Sequence, residues 1–243
     1  MTLLLGAHMS IAGGLDKAFE RGEAVGCTTM QVFTANASRW QGKPVTAEAA
    51  ARFRARWQKS SIGPVFSHDS YLINLASQKD DLWQKSKTAF LEEMQRCHML
   101  GLKGMVMHPG AHLGSGEKIG LKRVRAAFDD ILTEAPGDVM ILIENTAAQG
   151  TCLGGPFQHI ATLLADYPQD RFGVCFDTCH ACAAGYDLAT ESGYLATMDE
   201  FDRLIGLERI QLFHVNDSKK ECGARVDRHA HIGEGAIGRS GFA

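Results

Sequence analysis

The regular alternation of short apolar runs with longer amphipathic segments is the feature that most constrains how this chain folds. Seven apolar runs predict strands, at residues 3–7, 30–34, 64–68, 105–108, 140–144, 173–177 and 210–214. Most of them lack polar alternation, as expected for parallel strands that are buried on both faces. They recur roughly every 30 to 40 residues, which is the size of a βα unit.

The segments between these runs predict the helices of the same units. Apolar residues recur at helical spacing in segments 46–59, 81–100, 119–133, 157–166 and 198–207. Seven βα units with no linker between them predict one α/β domain over residues 1–243. The expected fold is a TIM (β/α)8-type barrel with seven of its eight units visible.

Composition and charge narrow the class of protein. The net charge of -3 argues against a protein that coats nucleic acid through bulk positive charge, so phosphate recognition would need a local charge such as a bound cation. The N-terminus has no basic start of a signal peptide, and no run is long enough to span a membrane. We therefore expect a cytoplasmic protein that does not bind membranes.

The cysteines are interpreted as reduced and mostly buried thiols. There are seven of them, an odd number, and they are not spaced like the framework of a secreted protein. Cys27, Cys97, Cys175 and Cys222 lie beside apolar or small residues. Cys175, Cys179 and Cys182 are close in sequence, but the spacing runs from a predicted strand into a loop with no second pair, which favours packing over a metal cluster.

Five consecutive predicted strands end on an imidazole or a carboxylate, namely His68, His108, Glu144, Asp177 and His214. In a parallel barrel the carboxyl ends of all strands lie on one face, where barrel enzymes carry their active sites. A single such residue is more often a capping or hydrogen-bonded group, but five in succession predict a metal site with ligands that zinc prefers.

A second group of candidate ligands follows the last strand. Asp227 and His229 stand two residues apart on an extended segment, so their side chains point to the same side. Together with His180 they are predicted to hold another metal. Eight ligands are too many for one tetrahedral zinc and enough for two or three metal ions.

The sequence segments that contain these residues, taken together, resemble those of the endonuclease IV family. The matching segments are residues 6–8, 68–75, 108–110, 143–146, 176–180, 214–218 and 225–229. The resemblance extends essentially from end to end. It implies a TIM-barrel hydrolase that uses three zinc ions to cleave double-stranded DNA 5′ of abasic sites, in base excision repair.

The resemblance also implies a role for each ligand. It assigns His68, His108 and Glu144 to one zinc, Asp177 and His214 to a second zinc that Glu144 bridges to the first, and His180, Asp227 and His229 to the third. Glu144 is thus the predicted catalytic residue. A metal-bound hydroxide would attack phosphorus and leave a 3′-hydroxyl and a 5′-deoxyribose phosphate.

The predicted DNA contacts come from the same resemblance. Tyr71 and Leu72 match residues that press into the DNA at the lesion, where a missing base makes insertion less costly. Asn36 and Arg39 lie on the loop after the second strand, which is expected to face DNA. Arg228 is predicted to contact phosphate.

The sequence departs from the family at its end. Family members continue through an eighth strand and helix, and that strand carries a glutamate that completes the second zinc site. We therefore expect a barrel that is truncated at its C-terminus, an incomplete second site and reduced activity. The expected protein is a monomer in which a gap between the first and seventh strands leaves edges prone to association.

Two alternatives stay open. One is a sugar isomerase or epimerase on a similar barrel, which would bind magnesium or manganese mostly through carboxylates. The histidine-rich ligand set favours zinc and phosphodiester chemistry over this alternative. The other is a non-catalytic protein that recognises damaged DNA.

Overall fold

The computed structural model describes residues 3–40 and 42–243, and it is built around one sheet of parallel strands. The strands follow one another across this sheet in chain order: β1 (Gly6–Met9), β2 (Thr29–Val32), β3 (Val65–His68), β4 (Gly104–Met107), β5 (Met140–Glu144), β6 (Phe172–Asp177) and β7 (Ile210–His214). Strands β3, β4 and β6 are buried along their whole length, as the absence of polar alternation predicts. The seven strands confirm the predicted α/β fold of the TIM-barrel type.

Helices follow most of these strands. They are α1 (Lys17–Ala24), α2 (Ala47–Trp57), α3 (Asp80–Leu100), α4 (Glu117–Leu132), α5 (Phe157–Leu164), α6 (Thr178–Ala184), α7 (Glu191–Leu204) and α8 (Gly238–Gly241). Five of them, α2, α3, α4, α5 and α7, overlap the predicted amphipathic segments, whereas α1, α6 and α8 were not predicted. Within the described ranges, no helix combines the length and the apolar character that crossing a membrane requires.

The structure departs from the predicted elements where local interactions outweigh apolar pattern. Strand β1 begins at Gly6 instead of residue 3, and its pairing with β2 starts there, opposite Thr29. The two backbones approach closely at this point, since a Cβ on Gly6 would lie 1.8 Å from the carbonyl oxygen of Thr29. Helix α7 begins at Glu191, seven residues before the predicted segment, because the Thr190 hydroxyl accepts a hydrogen bond from the backbone N–H of Gly193.

Helix α6 corrects the interpretation of the cysteine spacing. Cys179 and Cys182 lie on this helix, where the sequence predicts a loop. The Asp177 carboxylate caps its first turn by accepting the backbone N–H of His180 at 2.8 Å. The helix ends at Gly185, which adopts the left-handed conformation with φ 113°.

The chain divides into two compact units. The first contains Met1–Ile73, Gln84–Met107 and Asp130–Ile141, and the second contains Asn74–Trp83, His108–Asp129 and Leu142–Ala243. In the first unit, Phe19 and Phe53 are fully buried, and their ring centroids are 5.0 Å apart. The predicted organisation as a single domain over residues 1–243 stays a prediction, as does association through a strand edge.

In the second unit, an aromatic cluster packs against strand β6. The rings of Phe157, Phe176 and Phe201 are fully or almost fully buried, with centroids 5.2 to 6.0 Å apart. Edge-to-face contacts of this kind add to the stabilisation from area burial alone. The cluster holds β6 in place, and Asp177 is the last residue of that strand.

A short hairpin in the second unit is organised by one buried carboxylate. Strands β8 (Asp217–Ser218) and β9 (His229–Ala230) pair antiparallel, and Ser218 stands opposite His229. The Asp217 side chain is fully buried and accepts five backbone N–H groups at 2.8 to 3.2 Å, from Ser218, Gly233, Gly235, Ile237 and Gly238. Although burial works in the opposite direction, these N–H groups lower the pKa of Asp217.

We predict that Asp217→Asn lowers the free energy of unfolding by about 3 kcal/mol, because an amide nitrogen cannot accept the N–H groups it would face. Amide hydrogen exchange in residues 233–238 should accelerate in the variant. Because folding lowers the pKa of Asp217, the ionised carboxylate stabilises the folded state above the pKa that Asp217 has in the unfolded chain. This stabilisation is lost as the pH falls. The difference in free energy of unfolding between Asp217→Asn and the unmodified chain should therefore become smaller below about pH 4.

The matched control is Asp199→Asn, which changes an exposed aspartate on α7. Chemical denaturation of both variants at neutral and acidic pH measures the effect. Equal stability of the Asp217 and Asp199 variants would contradict the role given to the buried carboxylate.

Candidate metal centre

Four of the predicted ligands lie in the second unit at the carboxyl ends of successive strands. His108 directly follows β4, and the last residues of β5, β6 and β7 are Glu144, Asp177 and His214. Parallel strands end at the same edge of a sheet, so their terminal side chains are brought together by topology.

Glu144 is the residue on which these imidazoles converge. Its side chain is almost fully buried, and its Oε2 lies 3.3 Å from Nε2 of His108. Its Oε1 lies 3.1 Å from Nδ1 of His214 and 3.2 Å from Nδ1 of His180. One carboxylate thus contacts three imidazole nitrogens.

The charge state of Glu144 follows from these neighbours. Burial disfavours the carboxylate, but the imidazoles of His214 and His108 outweigh burial and hold the pKa of Glu144 well below its usual range. A buried carboxylate that stays ionised requires positive partners, which are either protonated imidazoles or a metal cation. Both oxygens of Glu144 are therefore available as anionic ligands.

A second group consists of His180 on α6 with Asp227 and His229 of the segment that enters β9. The two Asp227 oxygens lie 3.3 Å from Nε2 of His180 and 3.3 Å from Nε2 of His229. The two Nε2 atoms are 3.4 Å apart. Two ring nitrogens and a carboxylate thus face one point, as the ligands of a single metal ion do.

The electrostatics of this second group are strongly coupled. Hydrogen bonds from His180 and His229 lower the pKa of Asp227, and the Asp227 carboxylate raises the pKa of His229 to about 10. Burial opposes charge on His180, but Asp177, Asp227 and Glu144 raise its pKa to about 12. The two Nε2 atoms are 3.4 Å apart, so both cannot carry a proton directed at the other, and a divalent cation between them would bind both lone pairs at once.

Asp177 is held rigidly by residues that the sequence analysis did not single out. Its Oδ2 accepts a hydrogen bond from the Asn216 amide at 2.8 Å. Asn145 fixes its backbone from the neighbouring strand, donating to the Asp177 carbonyl at 2.9 Å and accepting the Asp177 N–H at 2.7 Å. The Nδ1 atom of His214 and the Nε2 atom of His229 lie 3.8 and 3.9 Å from Oδ2.

The orientation of His180 is also set from outside the ligand groups. Its Nδ1 lies 2.9 Å from the carbonyl oxygen of Asn145, which leaves Nε2 directed towards Asp227. A backbone carbonyl that fixes the tautomer of a ligating imidazole is a common arrangement around metals. Asn145 and Asn216 each stand within two residues of a strand-end ligand, inside segments 143–146 and 214–218 that carry the family resemblance, but no pattern in the sequence indicates their contacts.

His68 lies in the first unit, at the end of β3. It is buried, and its Nδ1 lies 2.9 Å from the carbonyl oxygen of Asp69. The rings of Phe33 and Tyr71 flank it, with centroids 5.6 and 5.4 Å from the imidazole. Its predicted sharing of a zinc with His108 and Glu144 stays a prediction.

The predicted DNA-contacting residues of the first unit lie at its surface. Tyr71 is 62% exposed although its ring packs edge-on against Phe33 at 5.4 Å, and Leu72 is half-buried. Asn36 and Arg39 are exposed and belong to one turn, in which the Arg39 N–H donates to the Asn36 carbonyl at 3.1 Å.

Arg228 is the predicted DNA contact in the second unit. It is exposed, and its guanidinium donates to the carbonyl oxygen of Asp227 at 2.7 Å. A positive charge therefore stands directly beside a predicted metal ligand.

Comparison with known proteins agrees with this geometry. Residues 19–243 match the family described as xylose isomerase-like TIM barrel. The probable endonuclease 4 of Chloroflexus aggregans is 54% identical over 239 residues, which are 98% of this chain and 84% of that protein. The probable endonuclease 4 of Geobacter sulfurreducens is 52% identical over 241 residues, which are 98% of this chain and 81% of that protein.

A solved structure extends the likeness to three dimensions. The crystal structure of endonuclease IV from Thermus thermophilus matches with a TM-score of 0.85 at 35% identity, over 98% of this chain and 86% of that one. The predicted TIM-barrel type and the predicted family are thereby confirmed. The chain belongs to the endonuclease IV family, a family of AP endonucleases built on the xylose isomerase-like TIM barrel.

Proposed function

We propose that this chain is a zinc-dependent endonuclease that hydrolyses the DNA phosphodiester 5′ of abasic sites, in base excision repair. The proposed products carry a 3′-hydroxyl and a 5′-deoxyribose phosphate. The observation that carries the proposal is the buried Glu144 carboxylate, which has three imidazole nitrogens within 3.3 Å. The family also supports the proposal, because the relatives described above are named probable endonuclease 4.

The donor chemistry fits zinc. Imidazole nitrogen and carboxylate oxygen are ligands that zinc takes in catalytic sites, and the facing Nε2 atoms of His180 and His229 leave a position for a cation. In the proposal, zinc ions are held by His68, His108, Glu144, Asp177, His180, His214, Asp227 and His229. Bound zinc supplies Lewis-acid activation of the phosphodiester and of water at neutral pH.

The protein's own contribution is to hold these ligands before DNA arrives. Glu144 places both of its oxygens among imidazoles and cannot rotate away, because it is buried at a strand end. Asn216 fixes the carboxylate of Asp177, and Asn145 fixes both the backbone of Asp177 and the ring of His180. Preorganised charge of this kind usually contributes most to the stabilisation of a phosphoryl transition state.

The proposed substrate contacts involve surface groups whose chemistry suits damaged duplex DNA. Tyr71 offers an exposed ring that is supported from behind by Phe33, and such a ring can stack where a base is missing. Leu72, Asn36 and Arg39 are proposed to act with it in the first unit. Arg228 is proposed to contact a backbone phosphate in the second unit.

We predict that the zinc-loaded 243-residue chain nicks a labelled duplex on the 5′ side of a single abasic analogue. Glu144→Gln should reduce the cleavage rate at least about 100-fold, because the neutral amide removes the negative charge that the surrounding imidazoles contact. Gel analysis of the end groups should show a 3′-hydroxyl. The matched control is Glu134→Gln, which changes an exposed glutamate and should cleave like the unmodified chain.

The outcome of this assay also decides between the alternatives. Tight binding of abasic duplex without any nick at full zinc loading would favour a non-catalytic binder of damaged DNA. Conversion of a free ketose with manganese, in the absence of any nick, would favour a sugar isomerase or epimerase. Equal cleavage by the Glu144 and Glu134 variants would contradict the role proposed for Glu144.

We predict that Tyr71→Ala weakens binding of abasic duplex about 10-fold, because the loss of one aromatic stacking contact costs roughly 1–3 kcal/mol. Binding is measured by fluorescence anisotropy on an abasic duplex and on its undamaged counterpart. The control is Tyr194→Ala, which removes a tyrosine of similar exposure from α7. Equal binding by the two variants would show that Tyr71 does not contact the lesion.

A further inference from the structure

Cys182 and Cys222 are brought together by backbone pairing in the second unit. Cys182 lies on α6, and Cys222 lies in the segment that joins β8 to Asp227. The N–H of Gly223, the residue after Cys222, donates to the carbonyl oxygen of Cys182 at 2.9 Å. Two residues further on, the N–H of Arg225 donates to the carbonyl of Ala183 at 2.9 Å. These two bonds fix the segment against the helix.

The segment runs beside the helix at Gly223, whose φ of +80° favours glycine. A Cβ on Gly223 would make an ordinary contact with the Cα of Gly185, at 3.8 Å. The neighbouring side chains are also close enough for the thiols of Cys182 and Cys222 to influence each other's pKa. A disulfide requires two cysteines whose Cα atoms are already near each other and whose side chains face each other. The backbone bond from Gly223 to Cys182 brings the two main chains together at this pair, and the interaction between the two thiols indicates that their side chains lie on the same side.

The two thiols differ in their access to solvent. Cys222 is exposed and is an exception to the expectation that the cysteines are mostly buried, whereas Cys182 is only 2% exposed. An accessible cysteine beside a protected one is the arrangement in which the first is oxidised and the second resolves the product. Neither cysteine is among the ligands of the proposed metal centre.

We propose that Cys182 and Cys222 are a site of reversible oxidation, at which a peroxide converts the two thiols into a disulfide. The Cys222 sulfur, as thiolate, attacks one oxygen of hydrogen peroxide; the O–O bond breaks, and sulfenic acid and water are formed. The Cys182 sulfur then attacks the sulfenic sulfur, the S–S bond forms, and a second water leaves with the proton of Cys182. Two thiols and one peroxide thus give one disulfide and two waters.

The position of the disulfide links it to the proposed metal centre. It joins α6, which carries His180, to the segment that leads to Asp227. Oxidation would therefore tie together the two elements that supply the second ligand group. The formation of the bond does not rest on the proposed function, since it needs only the two thiols and the oxidant.

The test uses the full 243-residue chain, zinc-loaded and treated with millimolar hydrogen peroxide. We expect the number of titratable thiols in denaturant to fall from seven to five. The intact mass should fall by that of two hydrogen atoms. Tryptic peptide 221–225 should be linked to peptide 172–203, and fragmentation of this pair should place the bond on Cys182 and Cys222. Dithiothreitol should restore all seven thiols. Because partial desolvation raises the pKa of Cys222, we expect the reaction to take minutes to hours.

Variants separate this pair from the other thiols. Cys222→Ser and Cys182→Ala should each abolish the linked peptide, whereas Cys152→Ser, which changes the other exposed cysteine, should leave it unchanged. Thermal unfolding of each variant shows whether it is folded. Circular dichroism of the oxidised chain shows that the bond forms in the native state. A disulfide between Cys179 and Cys182, a link between two chains, or over-oxidation of Cys222 without a disulfide would each overturn the proposal.

Discussion

The burial of one ionised carboxylate at the end of β5 is the constraint on which the site depends. Glu144 stays charged in the interior because imidazoles of His108, His180 and His214 surround it. An isolated carboxylate in such surroundings would be strongly destabilising, so these partners have to be placed together. Parallel strands that end at one edge of a sheet bring His108 and His214 to Glu144, and the first turn of α6, capped by Asp177, brings His180.

Around this carboxylate, hydrogen bonds between distant parts of the sequence restrict the proposed ligands. Asn216 reaches Asp177 across 39 residues, and Asn145 reaches it across 32. The hairpin that presents His229 is in turn held by Asp217 and its five backbone donors. Ligands that are fixed in this way lose little entropy when a metal binds, which is the physical basis of the outer shell's influence on metal affinity.

The sequence predicts the strand ends well and the supporting contacts poorly, for physical reasons. The run at residues 140–143 is continuous and apolar and ends on Glu144, and the predicted strand coincides with β5. The prediction at residues 210–214 also coincides with β7, although Gln211 interrupts its apolar residues. Helix α6 escapes prediction because Thr178–Ala184 is short and buried on most sides, so it has no amphipathic period. The role of Asn216 could not be predicted, because a hydrogen bond between residues far apart in sequence leaves no local pattern. The exposure of Cys222 could not be predicted either, because small neighbours do not imply burial.

Glu144 and its imidazoles are proposed to bind metal ions, and anomalous diffraction from zinc-loaded crystals would locate these ions. Data collected on both sides of the zinc absorption edge locate each ion without reference to activity. We expect an anomalous peak about 2.0–2.2 Å from an oxygen of Glu144, with a nitrogen of His108 or His214 at similar distance, and a further peak between His180, Asp227 and His229. Zinc bound only elsewhere, with Glu144 still paired directly to the imidazoles, would contradict the proposal.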